Sequence, residues 1–195
     1  IEKPSYWNQY TSKYESPNAY LINNTIVNNA LKSGVSGAYL TGAALYIQAY
    51  NPSNIYIFNN IVWNNDRETS QSQGSADQYI DQIYYNVGED VNVSADYNNI
   101  QRFSEYYNSK DFGDFTLNVD PAFKDLTNKD FTLTDASLML GGGIASYEGV
   151  AAPSVDLKGL TRPNPSGSNP DLGAYENSLA KSPYPKPVKN LTAKG

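Results

Sequence analysis

Two stretches of the chain set apolar and amide positions in the same order. Tyr20-Leu21-Ile22-Asn23-Asn24-Thr25-Ile26-Val27-Asn28-Asn29 returns 36 residues later, without a gap, as Tyr56-Ile57-Phe58-Asn59-Asn60-Ile61-Val62-Trp63-Asn64-Asn65. The leading tyrosine and all four asparagines are identical. A third copy, Tyr97-Asn98-Asn99-Ile100, is shorter and loses the match downstream. β-Branched residues and paired asparagines oppose a helix, so each copy reads as two short strands around an Asn-Asn corner. Alternation at period two predicts one shared face for Ile22, Asn24, Ile26 and Asn28.

Between the copies, residues 42–47 (GAALYI) form another apolar run, and Asn51-Pro52-Ser53-Asn54 marks a turn. One repeat then holds strands at about 42–47, 55–58 and 61–63, the plan of one coil of a parallel β-helix. Strands of successive coils stack about 4.8 Å apart, and each coil buries its apolar face only against its neighbours. Asn24 and Asn60 are expected one above the other at an inward corner, as an asparagine ladder. Their amides would satisfy each other and the corner backbone. Independent surface turns are the alternative, which the repeated flanking alternation disfavours. Residues 66–78 (DRETSQSQGSADQ) read as a polar excursion, with further strands at 83–85 and 91–93. Asp120–Phe123 and Asp130–Leu133 read as a cap layer, Asp171–Glu176 as a last short strand, and Lys181–Pro187 as a stiff extended linker.

Composition narrows the chemistry. The 195 residues contain no Cys and no His, which removes disulfides, thiolate and imidazole metal sites, and Cys or Ser-His nucleophiles. Lys+Arg 14 against Asp+Glu 20 leaves a net charge of −6, the wrong sign for a nucleic-acid partner. No apolar run approaches the roughly 20 residues of a membrane-spanning helix. Residues 1–10 lack the basic and apolar regions of a signal peptide. Seventeen Tyr and 13% aromatic residues suit pleated strands and argue against disorder.

Few groups remain for catalysis. A glycosidase needs two facing carboxylates, for which Asp66 with Glu68, or Asp77 with Asp81, are candidates. A lyase needs a cation, and Arg67, Arg102 and Lys110 are the nearby ones. None of these lies in a repeat-aligned strand, so solvated loop charge is the favoured reading and the catalytic residues stay unknown. Asp156 and Arg162, six apart across a glycine turn, read as a loop-pinning ion pair or an Asx turn. Asp171 and Glu176 are expected to serve the last strand in the same way. Oxygen ligands for calcium abound, but no D-x-[DN]-x-[DN]-G loop exists, so no cofactor or metal is assigned. The sequon Asn23-Asn24-Thr25 falls in the inward corner, which disfavours glycosylation. Trp63 is expected to point outwards, opposite Val62. With Tyr46, Tyr56, Tyr84 and Tyr85 it forms a candidate carbohydrate platform, the alternative being that the excursion or a partner covers it.

The repeats resemble coils of secreted bacterial right-handed parallel β-helix proteins. Residues 119–143 (VDPAFKDLTNKDFTLTDASLMLGGG), 156–163 (DLKGLTRP) and 170–176 (PDLGAYE) resemble the C-terminal region of choice-of-anchor Q proteins. The matching positions are Asp120, Pro121, Phe123, Leu133, Gly143, Asp156, Gly159, Arg162, Asp171, Gly173, Ala174, Tyr175 and Glu176; Ser137-Leu138 stands where that family has Ser-Pro. Residues 186–193 resemble the opening of a fibronectin type III module. The resemblance implies an all-β, right-handed parallel β-helix with an irregular capping region, at an extracellular or cell-surface location. The expected divisions are 1–119 (coils), 120–178 (cap) and 179–195 (linker and start of a further module). Two or three coils bury little alone, so the chain is expected to be the C-terminal part of a longer protein, with upstream coils or another chain covering the first coil. The expected role is a non-catalytic scaffold in a large secreted or surface-held bacterial protein. Its rivals are the back end of a polysaccharide lyase or hydrolase, and a glycan-binding module.

Overall fold

A computed structural model describes residues 6–9, 13–15, 17–31, 44–67, 82–101 and 112–185. Every regular element among them is a strand. An antiparallel pair, β1 (Tyr6–Asn8) and β2 (Lys13–Glu15), comes first. Three layers follow. The first holds β3 (Ala19–Ile22), β4 (Thr25–Val27) and β5 (Ala30–Leu31). The second holds β6 (Leu45–Ala49), β7 (Ser53–Phe58), β8 (Ile61–Trp63) and β9 (Asp66–Arg67). The third holds β10 (Ile83–Val87), β11 (Val91–Asp96) and β12 (Asn99–Ile100).

Successive layers pair in parallel. Tyr20 lies against Tyr56 and Ile26 against Val62, so the first two layers are offset by 36 residues, the period read from the sequence. The next offset is 38: Asn54 pairs with Asn92 and Val62 with Ile100. Matching Asn-Asn to Asn-Asn would have set Asn98 on Asn59. Instead Tyr97 takes the Asn59 position and Asn98 that of Asn60.

The strict alternation expected for residues 22–28 needs correction. Asn23, Asn28, Asn59 and Asn64 have φ between 51° and 59°, a left-handed corner that asparagine tolerates. Each such corner shifts the phase by one. Leu21 and Ile26 therefore face the interior, whereas Asn28 is exposed and Phe58, the partner of Ile22, meets Tyr147 on the outside. Ile47, Ile55, Ile57, Val62, Ile83, Val91 and Ile100 pack together as one buried apolar core. β7 starts earlier than the expected turn allows, because Asn54 N and Nδ2 both donate to Asn18 Oδ1.

Residues 112–119 lie over β12, with Leu117 bridging Asn99. Beyond them come two antiparallel pairs, β13 (Phe123–Asp125) with β14 (Asp130–Leu133), and β15 (Ser146–Tyr147) with β16 (Val150–Ala151). Leu133, Met139, Leu140 and Leu172 pack on the outward face of β8 through Ile61, forming a second core. The strand expected at 171–176 is absent. Gly173 sits at φ 85°, and the Asp171 N–H turns to a side chain instead of a strand partner.

Candidate functional site

The Asn-Asn corners give their two residues opposite tasks. In the first two layers the second asparagine of each pair donates along the stack, and in the third layer Asn98, the first of its pair, takes that place. Asn24 N and Nδ2 both donate to Asn60 Oδ1, at 2.9 and 3.0 Å, and Asn60 N and Nδ2 donate to Asn98 Oδ1, at 3.0 and 2.9 Å. Asn60 Nδ2 also reaches Leu21 O and Phe58 O. A second column runs Asn29, Asn65, Gln82 with the same paired donors. Gln82 arrives after the excursion and takes the place of a third asparagine. Amides suit these corners because each offers two donors and an acceptor to backbone that water does not reach.

The first asparagine of the pair holds the C-terminal region. Asn59 Nδ2 donates to Asn23 Oδ1 and to Ile144 O, while Asn59 Oδ1 accepts from Ile144 N. Asn23 Nδ2 donates to Asp171 O and Gly173 O, and Gly173 N donates to Asn59 O. Thr25 Oγ1 accepts from Ala174 N. Sequence reasoning assigned these corners but not this clamp. The left-handed preference of asparagine marks the residue, yet nothing local names a partner 148 residues away.

Behind the clamp lies a buried charged cluster. Arg162 Nη1 stands 3.3 Å from Glu176 Oε1, both side chains almost inaccessible, and also donates to Asp171 O and Gly173 O. Of the two readings offered for Asp156, the Asx turn is the one present: its Oδ1 accepts from Lys158 N and Leu160 N, and its Oδ2 accepts from Glu176 N. Glu176 accepts from Asp171 N and Asn164 N. Asp171 accepts from Gly141 N and Asn177 N, both at 2.7 Å. Tyr175 lies under Lys158 Nζ, 5.3 Å from its ring centre. Burial raises the Asp171 carboxyl to about 7, against the pull of the Gly141 and Asn177 N–H groups. Burial raises Glu176 too, opposed first by Arg162. Burial also works against the charge on Arg162, which Glu176 favours most. Each carboxylate of the cluster accepts main-chain N–H groups, so these oxygens organise turns.

The aromatic candidates are spread over the sheets, with Tyr46 and Tyr84 in register as neighbours in one of them. Tyr46, Tyr56 and Trp63 belong to three different sheets. Tyr56 stacks on Tyr20 at 5.5 Å with 6° between planes, so each ring gives one face to its neighbour. Tyr46 Oη accepts from Asn86 Nδ2. Trp63 is half-buried against the second core, which places the C-terminal region over it. Tyr84 pairs with Tyr46 and Tyr85 with Ile47. Asp66 and Arg67, expected outside the repeat-aligned strands, instead form β9, paired with Ala30 and Leu31 at the 36-residue offset. These four residues are described in backbone alone. Glu68, Asp77, Asp81, Arg102, Lys110, most of the 66–78 excursion and the stretch resembling a fibronectin module lie outside the described residues. Among the described residues, no group of three or more acidic side chains is placed to hold a metal ion, and no helix is long and apolar enough to cross a membrane.

No family model matches the chain, and comparison with curated proteins and with solved structures gives no match either.

Proposed function

We propose that this chain is a stretch of right-handed parallel β-helix whose C-terminal region is clamped along its side. It would serve as a non-catalytic scaffold in a large secreted or cell-surface bacterial protein, of the choice-of-anchor Q kind. One observation carries the reading: the polar groups that look most like a site are spent on architecture. The inward amides hold layer to layer, and Arg162, Glu176, Asp171 and Asp156 hold the C-terminal turns against Asn23. A catalytic carboxylate has to keep an oxygen free for a proton or a nucleophilic attack, whereas these accept backbone N–H groups. Aromatic faces are spent likewise, Tyr20 on Tyr56 and Tyr97 on Phe115.

The test is incubation of the full chain with a panel of plant, algal and bacterial polysaccharides, reading reducing ends and unsaturated products, alongside a glycan array. The scaffold reading expects no turnover and no saturable binding. Turnover of any polymer would replace it with a lyase or hydrolase. Array binding that disappears in Trp63→Ala would replace it with a carbohydrate-binding surface.

A further inference from the structure

We propose that the outer edge of the β3–β4–β5 layer is a seat for one further parallel layer, recognised through the side-chain oxygens of Asn24 and Asn29. This deepens the scaffold reading and rests on it. The two amide columns have a direction. Asn24 and Asn60 each donate N and Nδ2 to the amide oxygen one layer on, and Asn29 and Asn65 do the same. Both columns therefore run from donor to acceptor, first layer to third.

At the third layer the columns are closed. Asn98 N ends on Thr116 Oγ1, whose hydroxyl donates to Phe112 O, and Gln82 Nε2 turns back to Asn65 O. At the first layer they are open. Asn60 Oδ1, Asn98 Oδ1, Asn65 Oδ1 and Gln82 Oε1 each accept a pair of N–H groups, while Asn24 Oδ1 and Asn29 Oδ1 accept none from the described residues. β3, β4 and β5 are also the end strands of their sheets, with no described strand on their outer edges.

The occupant that fits is a parallel layer presenting the N–H and Nδ2 groups of two asparagines five residues apart. That is the spacing of Asn24 and Asn29, and of Asn60 and Asn65. A second copy of the chain does not fit. First layer against first layer would set Oδ1 against Oδ1, and the third-layer end offers a hydroxyl already given to Phe112 O. An unsatisfied amide oxygen at a closing interface costs free energy, so the polarity selects a covalently linked repeat over self-association.

The register permits a test in the full chain. Residues 17 and 53 are one period apart, as Asn18 and Asn54 are. Repeating residues 17–52 in tandem, as 1–52 followed by 17–195, thus adds one layer without changing the path of the chain. Hydrogen exchange over residues 19–27 of the original copy reports on the seat. Expected is slowing by about tenfold or more, with a thermal midpoint raised by at least about 2–4 °C. Asn24→Leu with Asn29→Leu in the added copy alone should return exchange to that of the parent, a baseline set by the folded parent itself. Unchanged exchange in the tandem chain, or slowing that survives both leucines, would overturn the proposal. Either result leaves the scaffold reading to be judged by turnover and glycan binding.

Discussion

Asn60→Leu deletes five hydrogen bonds while keeping the branching and the number of side-chain heavy atoms: two accepted from Asn24, and three donated to Leu21 O, Phe58 O and Asn98 Oδ1. Their partners fare unequally. Phe58 O keeps Asn23 N, and Asn98 Oδ1 keeps the Asn60 main-chain N–H. Asn24 N loses its acceptor, and Leu21 O loses a 2.7 Å bond at a site where Asn60 is fully buried. A stripped buried donor costs about 1–3 kcal/mol, and the remaining lost bonds about 1 kcal/mol each net. Burying the added apolar surface of leucine returns roughly 1–2 kcal/mol. The expected loss is about 3 kcal/mol. Asn24→Leu at the end layer removes only two side-chain bonds from a half-buried residue and should cost about 1 kcal/mol. Asn92→Leu is the control, since Asn92 is exposed and reaches Asn54 Oδ1 only at 3.5 Å; it should stay within about 0.5 kcal/mol of wild type. Urea unfolding at constant m resolves all three. Equal midpoints for Asn60→Leu and Asn92→Leu would refute the idea that the inward amides hold the layers together.

Gly173→Ala should be costly and Gly159→Ala mild, although both glycines have φ above 80°. A Cβ on Gly173 would stand 2.6 Å from Thr25 Oγ1 and 2.8 Å from Ile61 Cδ1, whereas one on Gly159 meets open space. The second should lose only the left-handed penalty of about 1–2 kcal/mol; the first should lose more and speed proteolysis within residues 140–178. Arg162→Met leaves Glu176 buried without its cation and should cost about 3–5 kcal/mol, while adding Glu176→Gln should recover part of that in a double-mutant cycle. Stability should also depend on pH through Asp171. Its carboxyl, raised to about 7 by burial, keeps in the folded state a proton that the unfolded chain releases near its ordinary value. Stability is therefore full below about pH 4 and falls as pH rises towards 7, by up to about 1.4 kcal/mol per unit. Glu176 acts in the same sense. Asp125 and Asp130, lowered by bonds from Asn128 and Thr132, act with the opposite sign below that window. Urea midpoints that rise across the window, or a slope left undiminished by Asp171→Asn, would contradict this account.

The parallel layers were legible because the period is carried by residues with one physical use each. Asparagine is the side chain that both tolerates a left-handed corner and supplies donors and an acceptor to buried backbone, so NN written twice at 36 residues marks two corners twice. The third layer was harder to read because Tyr97 stands at its left-handed corner, at φ 53°, and an Asn-Asn pair begins one residue later than the corner does. An offset of 38 follows from geometry that no identity match reports. The face assignment of Ile22 and Asn28 failed for a related reason: alternation at period two holds within a strand and breaks at every residue of positive φ. Tail motifs announced their turns but hid their partners. Asp156 is close to Arg162 in sequence, yet its oxygens are taken by Lys158 N, Leu160 N and Glu176 N, and the cation goes to Glu176.

That division explains why the C-terminal region binds where it does. Carbonyls 171 and 173 each accept from both Asn23 Nδ2 and Arg162 Nη1, so one peptide segment joins the amide corner of the first layer to the buried ion pair. Asn23 can offer its donors only because its left-handed corner turns the side chain away from the interior, and Asn59 repeats the geometry one layer on. The residues that break the alternation are thus the ones that dock the tail. Removing the corner and removing the tail are the same perturbation approached from two ends. Gly173→Ala and Asn23→Leu should consequently be sub-additive in a double-mutant cycle, because either one already forfeits the contacts the other would lose. Additive costs would mean that the clamp and the stack are independent, and that residues 170–176 hold to the layers by apolar packing of Leu172 alone.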